Sequence, residues 1–426
     1  MKRKISISAT ITFTVIVATV VFATTSLYTS NKINEQVADM KQREYMYKKI
    51  ANIEQEVRAN YYGAFDENAL MDSIARGYMA GINDRYAQYY TAKEYTDLLN
   101  KLEGTKVGIG LEISKDGSGY IKVNKVYETS PAFESGLLAD DLIIEVDGKS
   151  VTSETYEEIV ASLEGEVGTT VKLKTRRGAE EIDYEITRRK YELPSVSFKM
   201  IENSDIGYIR ITEFRDATTT QFIKAVDSLI ASGVNGLIFD VRDNGGGTLD
   251  SATSMLDYLL PEGDIVSVTN KNGVTTVMAT SDSYEIDIPM VVLINEKTAS
   301  AAELFAQALM DYEKASTVGT TTYGKGVMQT IIKLSDGSAI NITTARYNPP
   351  KSPNFDGIGV KPNFEVKMSA DVLTDAQFAK AKEVIEAIKV KEGIITAPSS
   401  SEITEDGDDA ESSSSEEVAE ESSSSK

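Results

Sequence analysis

The sequence predicts a multidomain protein: an α/β core with a mixed sheet and flanking helices, preceded by a small β-rich module and an N-terminal helical region. Three observations lead there. After residue 200, apolar runs of strand length alternate with segments of helical spacing. Gly104 to about Arg189 reads as a separate small β-rich module. Lys32 to Leu102 is rich in charge and tyrosine, with Ile50, Ile53, Val57 and Tyr61 at spacings of three and four. At 426 residues the chain has room for two or three domains.

Met1-Lys2-Arg3-Lys4 is basic, and Ile5 to Asn31 carries no charge, with an apolar stretch from Ile11 to Leu27. This is the architecture of a signal peptide or signal anchor with its positive charge on the cytoplasmic side. Val21-Phe22-Ala23 offers small residues for cleavage, but the stretch is long for a cleaved segment. Residues 1–31 are therefore expected to be an uncleaved single-pass membrane anchor, with the rest of the chain extracytoplasmic. Residues 32–103 form the helical region. Its aromatic-rich end, Asn83 to Thr91, is expected to be an ordinary helix packed on the core.

Residues 104–190 make the β-rich module. Backbone N–H groups of the Gly108-Ile109-Gly110 turn can hold a peptide carboxylate, and the strand opening at Leu111 can add an extended peptide to its edge. Tyr156 to Leu163 reads as the helix bordering that groove, and Thr170 to Thr175 as the last strand. The core, residues 191–397, opens with strand Ile206–Ile211, helix Thr218–Ser232 and strand Gly236–Val241. The glycine run Asn244-Gly245-Gly246-Gly247 then precedes a helix over Leu249–Leu260. The run lacks the lysine and the spacing of a nucleotide-binding loop. Asp240 and Arg242 are expected to form a structural ion pair. Pro289 to Asn295 is a buried strand, followed by a tight turn and a helix that starts near Ser300. Strand Gly337–Tyr347 and helix Ala376–Ile388 complete the core. Residues 398–426 are a Ser/Glu/Asp tail expected to be disordered.

Composition narrows the chemistry. The chain has no His and no Cys, so a Ser-His-Asp triad, a thiol nucleophile and Cys/His metal sites are all excluded. The formal charge is −22, and the tail from Glu402, with ten acids and one lysine, carries −9 of it. That balance argues against nucleic acid as a partner. Ser300 sits where helix N-terminal N–H groups favour negative charge, with the Ala301 N–H as the obvious oxyanion donor. Lysine acts as a base only when desolvation lowers its pKa from about 10.4. Lys325, flanked by Gly324 and Gly326, is in a position for close packing, and Gln329 can orient an amine without adding charge. Taken singly, the serine reads as an N-cap and Gly-Lys-Gly as a surface turn.

Together these residues carry more. Thr298-Ala299-Ser300-Ala301-Ala302-Glu303, followed by Gly324-Lys325-Gly326 and Gln329, resembles the carboxyl-terminal processing (tail-specific) serine proteases. The resemblance implies a ClpP/crotonase-like core with Ser300 as nucleophile, Lys325 as general base and Gln329 positioning the lysine. Arg242 to Gly247 resembles the family's D-L-R-x-N-P-G-G motif with Gly245 where Pro is common, and implies Gly246, then Gly247, as the second oxyanion donor. Gly108 to Ile113 and Ser130 to Gly148 resemble a PDZ domain. Asn83 to Thr91 resembles the segment that precedes it, with Arg85 in place of Pro. Gly357 to Pro362 is similar to G-x-G-I-x-P-D, with Val360 for Ile and Asn363 for Asp. The implied partners are proteins or peptides with exposed C-termini and a second copy of the chain through the N-terminal helices; no metal or organic cofactor is implied. The PDZ domain is also expected to gate the site. Two rival functions remain: an inactive PDZ scaffold, or an acyl-transfer or hydratase enzyme on a related core.

Overall fold

The computed structural model describes residues 7–368, 375–391 and 393, with only part of the side chains over residues 7–39. The basic start and the acidic tail lie outside the described residues. The chain divides into two compact units, Met1–Gly77 and Tyr78–Lys426.

The first unit is dominated by one helix, Ile7–Asn60. Ile50, Ile53, Val57 and Tyr61, the stripe read from the sequence, are all exposed among the described residues. Arg58 pairs with Glu54 one turn earlier and with Glu67 at 2.8 Å. The expected anchor falls mostly on residues whose side chains lie outside the described set. Among the described residues, no helix is long and apolar enough to cross a membrane.

In the second unit the small β-rich module, expected to resemble a PDZ domain, forms a sheet of its own. Its antiparallel sheet runs Leu111–Lys115, Ile121–Val126, Leu142–Val146, Thr170–Arg177, Glu180–Thr187, so Thr170–Arg177 is not the last strand: a hairpin adds one more. Ile121, Ile143, Val171 and Leu173, alternating on their strands, close over the buried Ile159 of helix Tyr156–Leu163. Buried Asp141 holds the far end of the sheet through Arg177, at 2.7 Å.

The α/β core is a mixed sheet in the order Val196–Met200, Ile206–Ile211, Gly236–Asp240, Met290–Ile294, Ala315–Gly319, Phe364–Glu365. Its first pair is antiparallel and the rest parallel. Strand Gly236–Asp240 is buried throughout, with Leu237 and Phe239 facing one layer and Ile238 the other. The first layer holds helices Asp216–Ala231, Leu249–Asp257 and Ala301–Asp311; the second is helix Ala376–Lys391, which packs Ala381, Val384 and Ile385 on the sheet. Such two-faced burial explains why these strands read as continuous apolar runs.

A second, antiparallel sheet runs Gln88–Tyr90, Ala339–Asn348, Gly263–Asn270, Thr275–Ser281, with Val327–Lys333 also on Ala339–Asn348. Its first strand corrects the expectation of a helix over 83–91. Gln88, Tyr89 and Tyr90 pair with Asn341, Ile340 and Ala339, and the turn before them is held by Asp84, which accepts the Tyr86 and Thr343 N–H groups.

Candidate active site

Strand Met290–Ile294 ends in a turn tied to its neighbours by side chains. Thr298 donates to the Val241 carbonyl, and the Ala299 N–H donates to the Asn244 carbonyl. The turn delivers Ser300 with φ +57° and ψ −120°, unlike the extended values of an ordinary N-cap and costly for a non-glycine residue. Helix Ala301–Asp311 begins at the next residue, and the Ala301 N–H has no acceptor among the described residues. The Tyr347 phenol shares the cleft with Ser300, whose hydroxyl lowers its pKa, but burial is the larger influence and pushes it above the usual value.

Glu303, fully buried one turn into the helix, joins the two candidate catalytic segments. One carboxylate oxygen accepts the Ser300 N–H and the Lys325 N–H, both at 2.8 Å. The other accepts the Gly324 N–H at 2.6 Å and the Thr322 hydroxyl. Thr322 and Gly324 to Gly326 are pressed against the 354–360 loop: a Cβ on Gly326 would lie 2.6 Å from the Asp356 nitrogen. That close approach is the reason for the glycines around the lysine.

Lys325 is partly buried, its Nζ 4.6 Å from the centroid of the Tyr86 ring. Burial lowers its pKa below the usual lysine range and the Arg85 guanidinium lowers it further, against opposition from Glu303 and Asp84. Ser300, Lys325, Gln329, Tyr347 and the 245–248 loop line one cleft of about 510 Å³.

Two expected roles are corrected. The Gly246 N–H donates to the Asn244 side-chain oxygen at 2.8 Å, so it is not free for an oxyanion. The Gly247 N–H has no acceptor among the described residues. Gly246 (φ +94°) matters for space instead: a Cβ there would come within 2.9 Å of the Ser300 Cβ. Gln329 does not orient the lysine amine by a hydrogen bond. Its amide donates to the Thr343 hydroxyl at 3.2 Å and to the Val327 carbonyl at 3.4 Å. A bulge between Met328 and Gln329 re-aims that side chain relative to the strand pattern.

Asp240 and Arg242 form the expected structural pair. Burial pushes Asp240 up, but Arg242, Arg210 and Tyr208 outweigh it and hold the carboxyl below its usual range. Asn363, where the resemblance has Asp, accepts the Thr317 N–H at 2.8 Å, a bond either side chain can make. In the PDZ domain, Gly108, Ile109, Gly110 and Leu111 line a groove of about 180 Å³ closed by Val160 and Leu163. The sequence reading assigned no role to Glu303, Tyr347, Asn244, Arg85 or Tyr86. Among the described residues no acidic cluster could hold a metal.

Comparison with known proteins identifies the families that the chain matches. Peptidase family S41 matches residues 205–366 and the PDZ domain family matches residues 105–187. The carboxy-terminal processing protease CtpA of Bacillus subtilis is 31% identical over 370 residues, 86% of this chain and 78% of that protein. A probable CtpA-like serine protease of Staphylococcus haemolyticus is 32% identical over 340 residues, 79% of this chain and 66% of its own length. Among solved structures, the photosystem II D1 C-terminal processing protease is 28% identical, with a TM-score of 0.44 over 75% of this chain and 88% of its own.

Proposed function

The chain belongs to peptidase family S41, the carboxy-terminal processing serine proteases, and from the site described above we propose that it cleaves proteins with a Ser300–Lys325 dyad. Neutral Lys325 takes the Ser300 proton as the hydroxyl oxygen attacks the scissile carbonyl. The N–H groups of Ala301 and Gly247 receive the developing oxyanion. The lysine ammonium then protonates the departing amine, leaving an acyl-enzyme on Ser300 that water hydrolyses. Gln329 supports the lysine indirectly, through Thr343 and the Asp84 turn. The single observation that carries this reading is the Glu303 carboxylate, which holds the nucleophile and the base segments on one oxygen.

The PDZ groove selects substrates by their exposed C-termini, a reading supported by the Gly108–Leu111 turn beside helix Tyr156–Leu163, and it gates the cleft, a reading supported by the place of this module before the catalytic half in one chain. The charge-free run from Ile5 to Asn31 after a basic start supports a membrane anchor with the catalytic part extracytoplasmic. The uncovered stripe of Ile50, Ile53 and Val57 supports dimerisation through the N-terminal helices. Casein hydrolysis by the full chain tests the dyad. Ser300→Ala and Lys325→Ala are expected to be inactive; hydrolysis by Ser300→Ala would end the reading.

A further inference from the structure

Lys325 is not the only cation on the Tyr86 ring. The Arg85 guanidinium carbon also lies 4.6 Å from its centroid, so the two charges are at most about 9 Å apart, within roughly one Debye length of about 10 Å at moderate salt. The arrangement is built by the sheet. Strand Gln88–Tyr90 pairs with Ala339–Asn348, Asp84 accepts the Tyr86 and Thr343 N–H groups, and the Asn341 amide donates to the Tyr86 carbonyl. Arg85 is therefore held on the rim of the lysine's pocket, where it also reaches the Tyr323 ring at 5.8 Å.

A base has to shed its proton, and the ring works against that, since an aromatic face favours the ammonium. Glu303 behind the lysine and Asp84 beside it favour the charged amine as well. Asp356 accepts the Gly326 N–H and adds another negative charge to the neighbourhood of Tyr86. Against these, among the described residues, stands the positive group of Arg85. We propose that Arg85 is a positioning residue of the active site: by sharing the Tyr86 ring with Lys325 it keeps a second positive charge beside the amine and favours the uncharged lysine. Burial of the amine acts in the same direction and is the larger influence. Because Arg85 is exposed, solvent screens it, and its share is modest and salt-dependent.

The inference rests on Lys325 being the base. The test is the pH profile of casein hydrolysis by the full chain, for wild type, Arg85→Gln, Arg85→Lys and Lys325→Ala, at low and high salt. Removing the charge is expected to move the acid limb up by about half a pH unit, about a threefold loss of activity on that limb. Arg85→Lys keeps the wild-type limb, and high salt brings the Arg85→Gln and wild-type limbs together. An unmoved limb in Arg85→Gln at low salt overturns the inference. So does a shift in Arg85→Lys as large as that in Arg85→Gln, which would make the guanidinium's packing rather than its charge responsible. If Lys325→Ala still hydrolyses casein, the dyad itself fails; if it is inactive while the Arg85→Gln limb stays put, only the role of Arg85 is lost.

Discussion

The fully buried Glu303 carboxylate accepts the Lys325 backbone N–H at 2.8 Å on the same oxygen that accepts the Ser300 N–H. The strained backbone of Ser300 and the glycine-flanked lysine thus share one anchor. Replacing Glu303 by Ala leaves four donors facing a cavity, at about 1–3 kcal/mol for an unsatisfied buried group. Thermal melting is expected to fall by several degrees and kcat by at least about tenfold. Glu303→Gln should fall between, because its amide keeps one acceptor oxygen for four donors. Wild-type kcat in Glu303→Ala would show that the anchor does not position the site.

Gly246→Ala is expected to abolish activity with a smaller effect on folding. Its Cβ meets the Ser300 Cβ at 2.9 Å and the Ala299 carbonyl at 2.7 Å, so the nucleophile turn shifts. A shift of about 1 Å at reacting atoms costs on the order of a hundredfold. Comparing kcat/KM with the urea midpoint separates the two effects.

Tyr347→Phe removes the phenol that shares the cleft with the Ser300 hydroxyl while keeping the ring in the core. A loss of about fivefold in kcat with little change in KM is expected, the size of one ordinary interaction of about 1 kcal/mol used for orientation. Steady-state kinetics on a peptide substrate checks it.

The Asp240 cluster sets the acid stability. Its carboxyl is held below the unfolded value of about 3.9, so its contribution is present above that pH and is lost as pH falls through the folded pKa. Asp240→Asn leaves Arg242 and Arg210 without their buried anion, at about 3–5 kcal/mol, and should flatten the fall in stability below about pH 4. Denaturant melts from neutral to acid pH measure both.

The strand, turn and helix around Ser300 and the tight packing of the glycines around Lys325 were legible because their signals are local: one stretch of chain, or glycines flanking one charge. Gly246 was misread although the signal was present. Asn244 lies two residues before it, the spacing at which an Asn side chain takes a backbone N–H in an Asx turn. Gln329 failed for a different reason, since a bulge changes where a strand residue points and nothing in the period announces it. The 83–91 segment failed because its partner strand begins about 250 residues later, and pairing at that distance leaves no periodic trace. Glu303 was visible in the motif, but its role depends on where the lysine loop returns.

The most direct measurement of the central claim is the pH profile of Lys325→Arg beside wild type. Arginine preserves the charge and much of the packing but cannot lose its proton, whereas burial and Arg85 prepare the lysine to do so. A neutral-lysine base predicts wild-type activity that rises with pH to a plateau and no hydrolysis by Lys325→Arg at any pH. Activity in Lys325→Arg with the wild-type pH dependence would contradict the account, because a permanently charged residue would then be serving where a base is required.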